Sequence, residues 1–108
     1  MSFDIVISEQ ANTDIRYIYE YIAFELLAPD NAINQLKRIE NSIMSLNEMP
    51  ERYRQYDVEP WQSRGLRVMP VDHYIVFYIP CKKSNTVTII RVMYSGRDID
   101  IQLKNNSK

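Results

Sequence analysis

The sequence predicts a single α+β domain in which a helical hairpin packs on one face of an antiparallel sheet. Its 108 residues match the length of one domain. The first half contains two stretches with helical periodicity, and the second half contains three strand-like stretches with hairpin-length connections. The order strand–helix–helix–strand–strand–strand, with a short C-terminal segment, therefore indicates one unit over residues 1–108.

The first helix is predicted over residues 9–26, directly after a short strand that contains Phe3, Ile5 and Ile7 at alternating positions. Ser8 is a favourable N-cap residue for this helix. The apolar residues that recur at helical spacing are Ala11, Ile15, Ile18 and Ile22. This face of the helix should lie against the sheet.

The second helix is predicted to begin at Pro29, because proline suits the first turn of a helix, and to end before Pro50. Its apolar stripe consists of Ala32, Leu36, Ile39, Ile43 and Leu46. Only a short break separates the two helices, so they should be antiparallel neighbours. We expect the second stripe to be buried on the sheet as well.

Three strands are predicted in the second half, at Leu66–Val71, Tyr74–Ile79 and Thr86–Tyr94. A two-residue turn should join the first two, and Pro80 should end the middle one. Connections of this length predict an antiparallel meander. Residues 51–64 show no period that assigns a structure to them.

Composition excludes several classes of protein. A single cysteine, Cys81, excludes an internal disulfide, and the sequence shows neither a signal peptide nor a membrane span, so we expect a cytoplasmic protein. One histidine and one cysteine do not make a usual zinc site, and two glycines do not make a phosphate-binding loop. We therefore expect no metal, no cofactor and no contact with a membrane.

The charge is unevenly distributed along the chain. Residues 1–51 contain nine acidic and three basic side chains, a net charge of −6, whereas residues 52–97 contain eight basic and three acidic ones, a net charge of +5. This pattern favours a positive face for an anionic partner, although charges that merely solvate exposed faces give the same pattern. Arg67 and Arg91 lie inside apolar strands, so at least one of them should open onto solvent or a ligand.

Several segments together resemble the RelE/ParE family of bacterial toxins. They are a first helix with Ser8, Ala11, Asp14, Ile15 and Tyr21, a second helix that ends in Leu46 and Pro50, Gly65-Leu66-Arg67, Val71 through Tyr78, and Ile90-Arg91-Val92 leading into Gly96-Arg97-Asp98. The resemblance covers nearly the whole chain. It implies a toxin of a type II toxin–antitoxin, or plasmid-stabilisation, module that arrests growth and forms a hetero-oligomer with its cognate antitoxin.

The resemblance also implies two alternative mechanisms. RelE-like members cleave mRNA on the ribosome without a metal, and their site residues correspond here to Arg67, Tyr94 and Arg97. ParE-like members inhibit DNA gyrase. The sequence pI near 5.8 is low for a protein that binds ribosomal RNA, so charge favours the ParE-like mechanism. A third alternative is an inactive relative that only binds partners.

The candidate partner-binding residues are Arg67, Arg91, Arg97 and Trp61. Each has a structural alternative. Arg67 could be an exposed strand arginine whose stem covers apolar neighbours. Arg91 could pair with a helix carboxylate, Arg97 could pair with Asp98, and Trp61 could form a lid over the core. We expect the antitoxin to place carboxylates near Arg67 or Arg97.

Overall fold

Two helices pack on one face of a four-stranded sheet in the computed structural model, which describes residues 2–96 and 103. The strands are β1 (Asp4–Ile7), β2 (Arg67–Val71), β3 (Tyr74–Cys81) and β4 (Thr86–Tyr94), and their order in the sheet is β1-β4-β3-β2. The predicted α+β class, element order and β2-β3-β4 meander are confirmed. The sheet is mixed, however, because β1 pairs in parallel with β4.

The helices are α1 (Glu9–Glu20) and α2 (Pro29–Met44). The first predicted helix ran to residue 26, but the α-helix ends at Glu20 and continues as a π-helical segment, Tyr21–Glu25. Short 3₁₀ turns, Ser45–Asn47 and Pro50–Arg52, follow α2. The hairpin between the helices turns at Leu27, whose φ is 53°.

Ser8 connects the start of α1 to the sheet. Its hydroxyl oxygen accepts a hydrogen bond from the Ala11 N–H at 3.1 Å, which confirms it as the N-cap. The same hydroxyl donates to the Ile90 carbonyl at 3.1 Å. This bond lies just beyond the end of the β1–β4 pairing at Ile7 and Ile89, so Ser8 extends the contact between the first part of the chain and β4.

The main core lies between the helices and the sheet. Both predicted helical stripes are buried there, except that Leu36 is only half-buried and Gln35 is buried instead. Gln35 is tolerated because its amide donates to the Asp72 carboxylate at 3.0 Å, in the turn between β2 and β3. Leu36 is thus less buried than predicted, although it still packs against this core.

A second core covers part of the opposite face of the sheet. Its buried members are Tyr56, Trp61, Leu66, Val68, Phe77, Met93 and Leu103. Residues 51–64, to which the sequence pattern assigned no structure, form turns that carry Tyr56 and Trp61 onto this face. The face of the sheet opposite the helices is therefore partly covered.

The middle strand is longer than predicted. Pro80 was expected to end it, but β3 continues to Cys81 and Pro80 pairs with Val87 of β4. The pairing of β3 with β2 stops at Tyr78, opposite the first β2 residue Arg67, so Pro80 has a neighbouring strand on one side only. A proline is tolerated at such an edge position because the missing N–H removes no bond between strands there.

Candidate functional site

Arg67 lies at the start of β2 and is half-buried. Its Nη1 donates to two backbone carbonyls, those of Tyr53 at 2.7 Å and of Glu51 at 3.1 Å. These bonds attach the segment before β2 to the sheet. The guanidinium therefore has a structural role in this conformation, in addition to any role toward a ligand.

Other basic side chains of the second half also have partners within the chain. Arg52 donates to the carbonyls of Ser45, Glu48 and Met49 at the end of the second helix. The Arg64 guanidinium lies 4.9 Å from the centre of the Trp61 ring, and the Lys82 ammonium lies 3.2 Å from a Glu51 carboxylate oxygen. Much of the positive charge is thus already paired or stacked, although these side chains remain exposed.

Arg91 is buried and forms an ion pair with Asp14 of α1. Its Nε lies 2.7 Å from Oδ2 and its Nη2 lies 3.0 Å from Oδ1, and the two side chains are 7% and 10% exposed. Asp14 Oδ2 also accepts a hydrogen bond from the Val92 N–H at 3.0 Å. The structure therefore places Arg91 with a helix carboxylate, the alternative considered from the sequence, and leaves it little surface for a partner.

Tyr94 lies at the end of β4 and is about half exposed. It is directly opposite Tyr74 on β3, whereas Arg67 is opposite Tyr78. Since Tyr74 and Tyr78 are four residues apart on the same strand, Arg67 and Tyr94 are separated by about 13 Å along the strand direction alone. The structure does not bring these two predicted site residues together.

The surroundings of Tyr94 are aromatic. Its ring lies 6.0 Å from that of Tyr74, and the Tyr17 and Tyr21 rings on the first helix stack at 6.5 Å. Burial raises the pKa of Tyr74, and the nearby Tyr94 and Tyr21 hydroxyls raise it further. We call the surface formed by Tyr17, Tyr21, Phe24, Tyr74 and Tyr94 the aromatic face.

The helical part of the aromatic face surrounds a surface depression of about 310 Å³. The side chains that line it are those of Tyr17, Tyr21 and Phe24 and of the two acidic residues Glu20 and Glu25. These rings are exposed by 57%, 44% and 67%, so large apolar surfaces face solvent next to two carboxylates. Such a surface is suited to binding an apolar segment of a protein.

Sequence reasoning missed the aromatic face, although a signal for it exists. Tyr17, Tyr21 and Phe24 recur at helical spacing, one position beside the isoleucine stripe of α1. A helix with one apolar stripe buries it, whereas a second adjacent stripe widens the apolar surface beyond what the sheet can cover. Reading both stripes together would have predicted exposed rings.

Of the remaining residues named from the sequence, the structure describes Trp61 but not Arg97. Trp61 is 6% exposed and covers the second core, as the lid alternative described. Arg97 and Asp98 lie outside the described residues. Within residues 2–96 and 103, no group of three or more potential metal-ligating side chains comes together, and no helix is long and apolar enough to cross a membrane.

Comparison with solved structures defines the class of fold. The chain is similar to a chain of the chromosomal ParDE TA system from P. aeruginosa, with 16% identity, coverage of 86% of this chain and 96% of that one, and a TM-score of 0.70. It is similar to a chain of the toxin–antitoxin complex RelBE2 from Mycobacterium tuberculosis, with 17% identity, 87% and 99% coverage and a TM-score of 0.62. The chain is also similar to a variant of E. coli toxin RelE in the free state, with 12% identity, coverage of 97% of this chain and 98% of that one, and a TM-score of 0.66.

These likenesses show the RelE/ParE-like toxin fold. The family model for the ParE toxin of the type II toxin-antitoxin system, parDE, matches residues 5–99. The chain belongs to this toxin family, which confirms the resemblance seen in the sequence. No curated protein gave a significant match.

Proposed function

We propose that this chain is a ParE-like toxin that arrests growth by inhibiting DNA gyrase and is held inactive in a hetero-oligomer with its antitoxin. The observation that supports the gyrase target most is the separation of Arg67 from Tyr94 on the sheet. The antitoxin partner is supported by the similar chains, which come from toxin–antitoxin systems. We further propose that antitoxin carboxylates lie near Arg67 or Arg97.

RNA cleavage requires groups that converge on one phosphate. A base, an acid and cations must all lie within hydrogen-bonding reach of the reacting atoms. Here Tyr94 lies among tyrosine rings, and Arg67 donates to backbone carbonyls at the other end of the sheet. This arrangement supports binding of a protein target more than cleavage of RNA.

Charge supports the same choice. Binding of a ribosomal RNA depends on many contacts between cations and phosphates. The chain has a net charge of −1, and several of the basic side chains in its second half already interact with carbonyls, a carboxylate or a ring. Attraction to RNA would therefore be weak for a nuclease of this kind.

A RelE-like, metal-independent ribosomal endoribonuclease is the second candidate. The observation in its favour is the fold, which superposes on E. coli RelE over 97% of this chain. It would use Arg67, Tyr94 and Arg97. The third candidate, an inactive relative that only binds partners, predicts no growth arrest at all.

One comparison separates these candidates. The chain and its Tyr94→Phe variant are expressed without antitoxin, and growth, gyrase supercoiling activity in vitro and mRNA cleavage on ribosomes are measured for both. We expect growth arrest and gyrase inhibition by both proteins, because the substitution removes only a hydroxyl group. Circular dichroism checks that the variant is folded.

If the chain is a nuclease, Tyr94→Phe should instead lose activity. Proton transfer by the Tyr94 hydroxyl would then contribute on the order of 10²-fold or more to cleavage. A folded Tyr94→Phe variant that loses toxicity, together with cleavage of A-site codons by the parent, would overturn the gyrase proposal. Arg67→Ala is a less selective probe, because it also removes the bonds to Glu51 and Tyr53.

A further inference from the structure

We propose that the free edge of β1 is a self-association site, at which two copies of this chain pair their β1 strands antiparallel about a two-fold axis. The two four-stranded sheets then continue into one another across this edge. The inference goes beyond the proposed function and does not depend on it, because it involves neither the target nor the antitoxin.

The backbone of β1 offers hydrogen-bonding groups along this edge. At the start of the strand, the Asp4 N–H donates to the Asn85 carbonyl at 2.9 Å, on the side of β4. Because successive strand residues alternate in the side to which their backbone groups point, those of Ile5 and Ile7 point away from β4. Among the described residues, none of these groups bonds to backbone beyond the sheet. Each copy therefore presents two N–H and two C=O groups that a further strand can use.

The other exposed parts of the sheet edge are blocked, whereas β1 is open. At the opposite edge, β2 contains Pro70, which lacks an N–H, and is bridged by Gln55 of the preceding segment. The part of β4 that β1 does not reach is occupied by the side chains of Ser8 and Asp14. By contrast, β1 contains no proline or lysine, and its one charged side chain, that of Asp4, lies at its first position. An edge left open in this way is a template for another strand.

The order of side chains in β1 selects a second copy as the strand that binds. With Val6 on the two-fold axis, Ile5 of one copy lies opposite Ile7 of the other, and the backbone groups of these two residues satisfy each other. Ile5 packs against the main core, so Val6 points to the face opposite the helices, where it is 47% exposed. The two Val6 side chains meet there, and pairs of β-branched residues across strands are favourable.

The symmetry and the length of β1 determine how far the association proceeds. Each copy uses the same surface, which is how two-fold dimers are built, so the assembly closes at two copies. The strand has four residues, so the interface is small and the dimer should be a weak one. We therefore expect exchange between monomer and dimer as the concentration changes.

The first experiment measures the mass of the purified full chain by sedimentation equilibrium, over concentrations that reach those used for NMR. We expect the average mass to rise from 12.8 kDa toward twice this value. Amide hydrogen exchange then locates the interface. The Ile5 and Ile7 amides should become protected as the concentration rises, because their N–H groups are bonded only in the dimer.

Two variants test the pairing in different ways. Val6→Lys places two ammonium groups opposite each other on the two-fold axis, and natural edge strands use lysine to prevent pairing. Ile7→Pro removes an N–H that donates only between copies. The fold should accept this proline because the N–H faces away from β4, and Ile7 is not part of the main core. We expect each change to raise the Kd of the dimer on the order of 10-fold or more.

Val58→Lys is the matched control. Val58 is 40% exposed, close to the value for Val6, and lies in the segment before β2, at the other edge of the sheet. This variant should bind a second copy with a Kd within about 3-fold of that of the unchanged chain, since surface changes away from contacts have small effects. Circular dichroism checks that all three variants are folded.

Three results would overturn the inference. The first is a mass that stays at 12.8 kDa throughout the concentration series. The second is a dimer whose Kd responds to neither Val6→Lys nor Ile7→Pro, because another surface then joins the copies. The third is protection of the Ile5 and Ile7 amides only after addition of the antitoxin encoded beside the gene, which would assign the edge to an antitoxin strand. Growth arrest and gyrase inhibition are measured separately, so the proposed function stands or fails independently of these results.

Discussion

Replacing Asp14 by asparagine should destabilise the fold strongly. The Asp14 carboxylate makes two contacts with the Arg91 guanidinium and accepts a hydrogen bond from the Val92 N–H, in a site where both side chains are about nine-tenths buried. Asparagine keeps the size of the side chain and one acceptor oxygen, but it leaves the guanidinium buried without a counter-charge. Removal of one partner from a buried ion pair costs about 3–5 kcal/mol.

We expect the free energy of unfolding to fall by about 3 kcal/mol, the lower end of this range, because the remaining amide oxygen still accepts one hydrogen bond. The free energy of unfolding is measured by urea denaturation, with circular dichroism as the probe. Asp57→Asn is the control, since Asp57 is an exposed acid, and it should change stability by less than about 0.5 kcal/mol.

A double substitution tests the cause of the effect. Asp14→Leu with Arg91→Met removes both charges together and should be less destabilising than the sum of the two single changes. If Asp14→Asn is as stable as Asp57→Asn, the ion pair contributes nothing measurable to stability, and the expected loss is refuted.

Two further predictions concern the contacts around the 3₁₀ turns after α2. Tyr78→Phe removes a buried hydrogen bond of 2.6 Å from the Tyr78 hydroxyl to the Pro50 carbonyl and should cost about 1 kcal/mol in urea denaturation. Burial raises the pKa of Tyr78 from 10 to about 12, so folding favours its neutral form. This contribution to stability is complete below pH 10 and is lost as the pH rises toward 12. The stability of Tyr78→Phe should therefore decline less than that of the unchanged chain over this interval. Equal declines would contradict the raised pKa of Tyr78. Arg52→Ala removes three hydrogen bonds to backbone carbonyls. Loss of this exposed cap should lower the free energy of unfolding by roughly 1 kcal/mol and the thermal midpoint by several degrees. An unchanged midpoint would show that water replaces the side chain fully.

Those parts of the fold that depend on local pattern were predictable. The limits of β4, Thr86–Tyr94, were predicted from a run of apolar and β-branched residues, and the start of α2 was predicted from Pro29. The end of β3 was not predictable, because Pro80 ends a strand only when both sides are paired, and the length of β2 decides that. The π-helical segment Tyr21–Glu25 has the same apolar spacing as a regular helix and gives no separate signal.

The candidate site was less predictable because it depends on register. The sequence places Arg67 and Tyr94 on the two outer strands of one predicted meander, and only the pairing of each with a different part of β3 shows that they lie apart. The pairing of Arg91 with Asp14 joins residues 77 positions apart, which no local pattern specifies. The aromatic face likewise requires the contact between the first helix and the end of the sheet.

The contacts of Ser8 and Asp14 with β4 also affect how the protein behaves at high concentration. The β1–β4 pairing ends at Ile89, and the unprotected rim of a longer strand is a template on which other chains can add and begin to aggregate. The Ser8 hydroxyl at the Ile90 carbonyl and the Asp14 carboxylate at the Val92 N–H occupy this rim with side chains. A foreign strand would have to displace both, including a carboxylate that is tied to Arg91. The same contacts that position α1 therefore protect the half of β4 that β1 does not pair with from strand addition by other molecules.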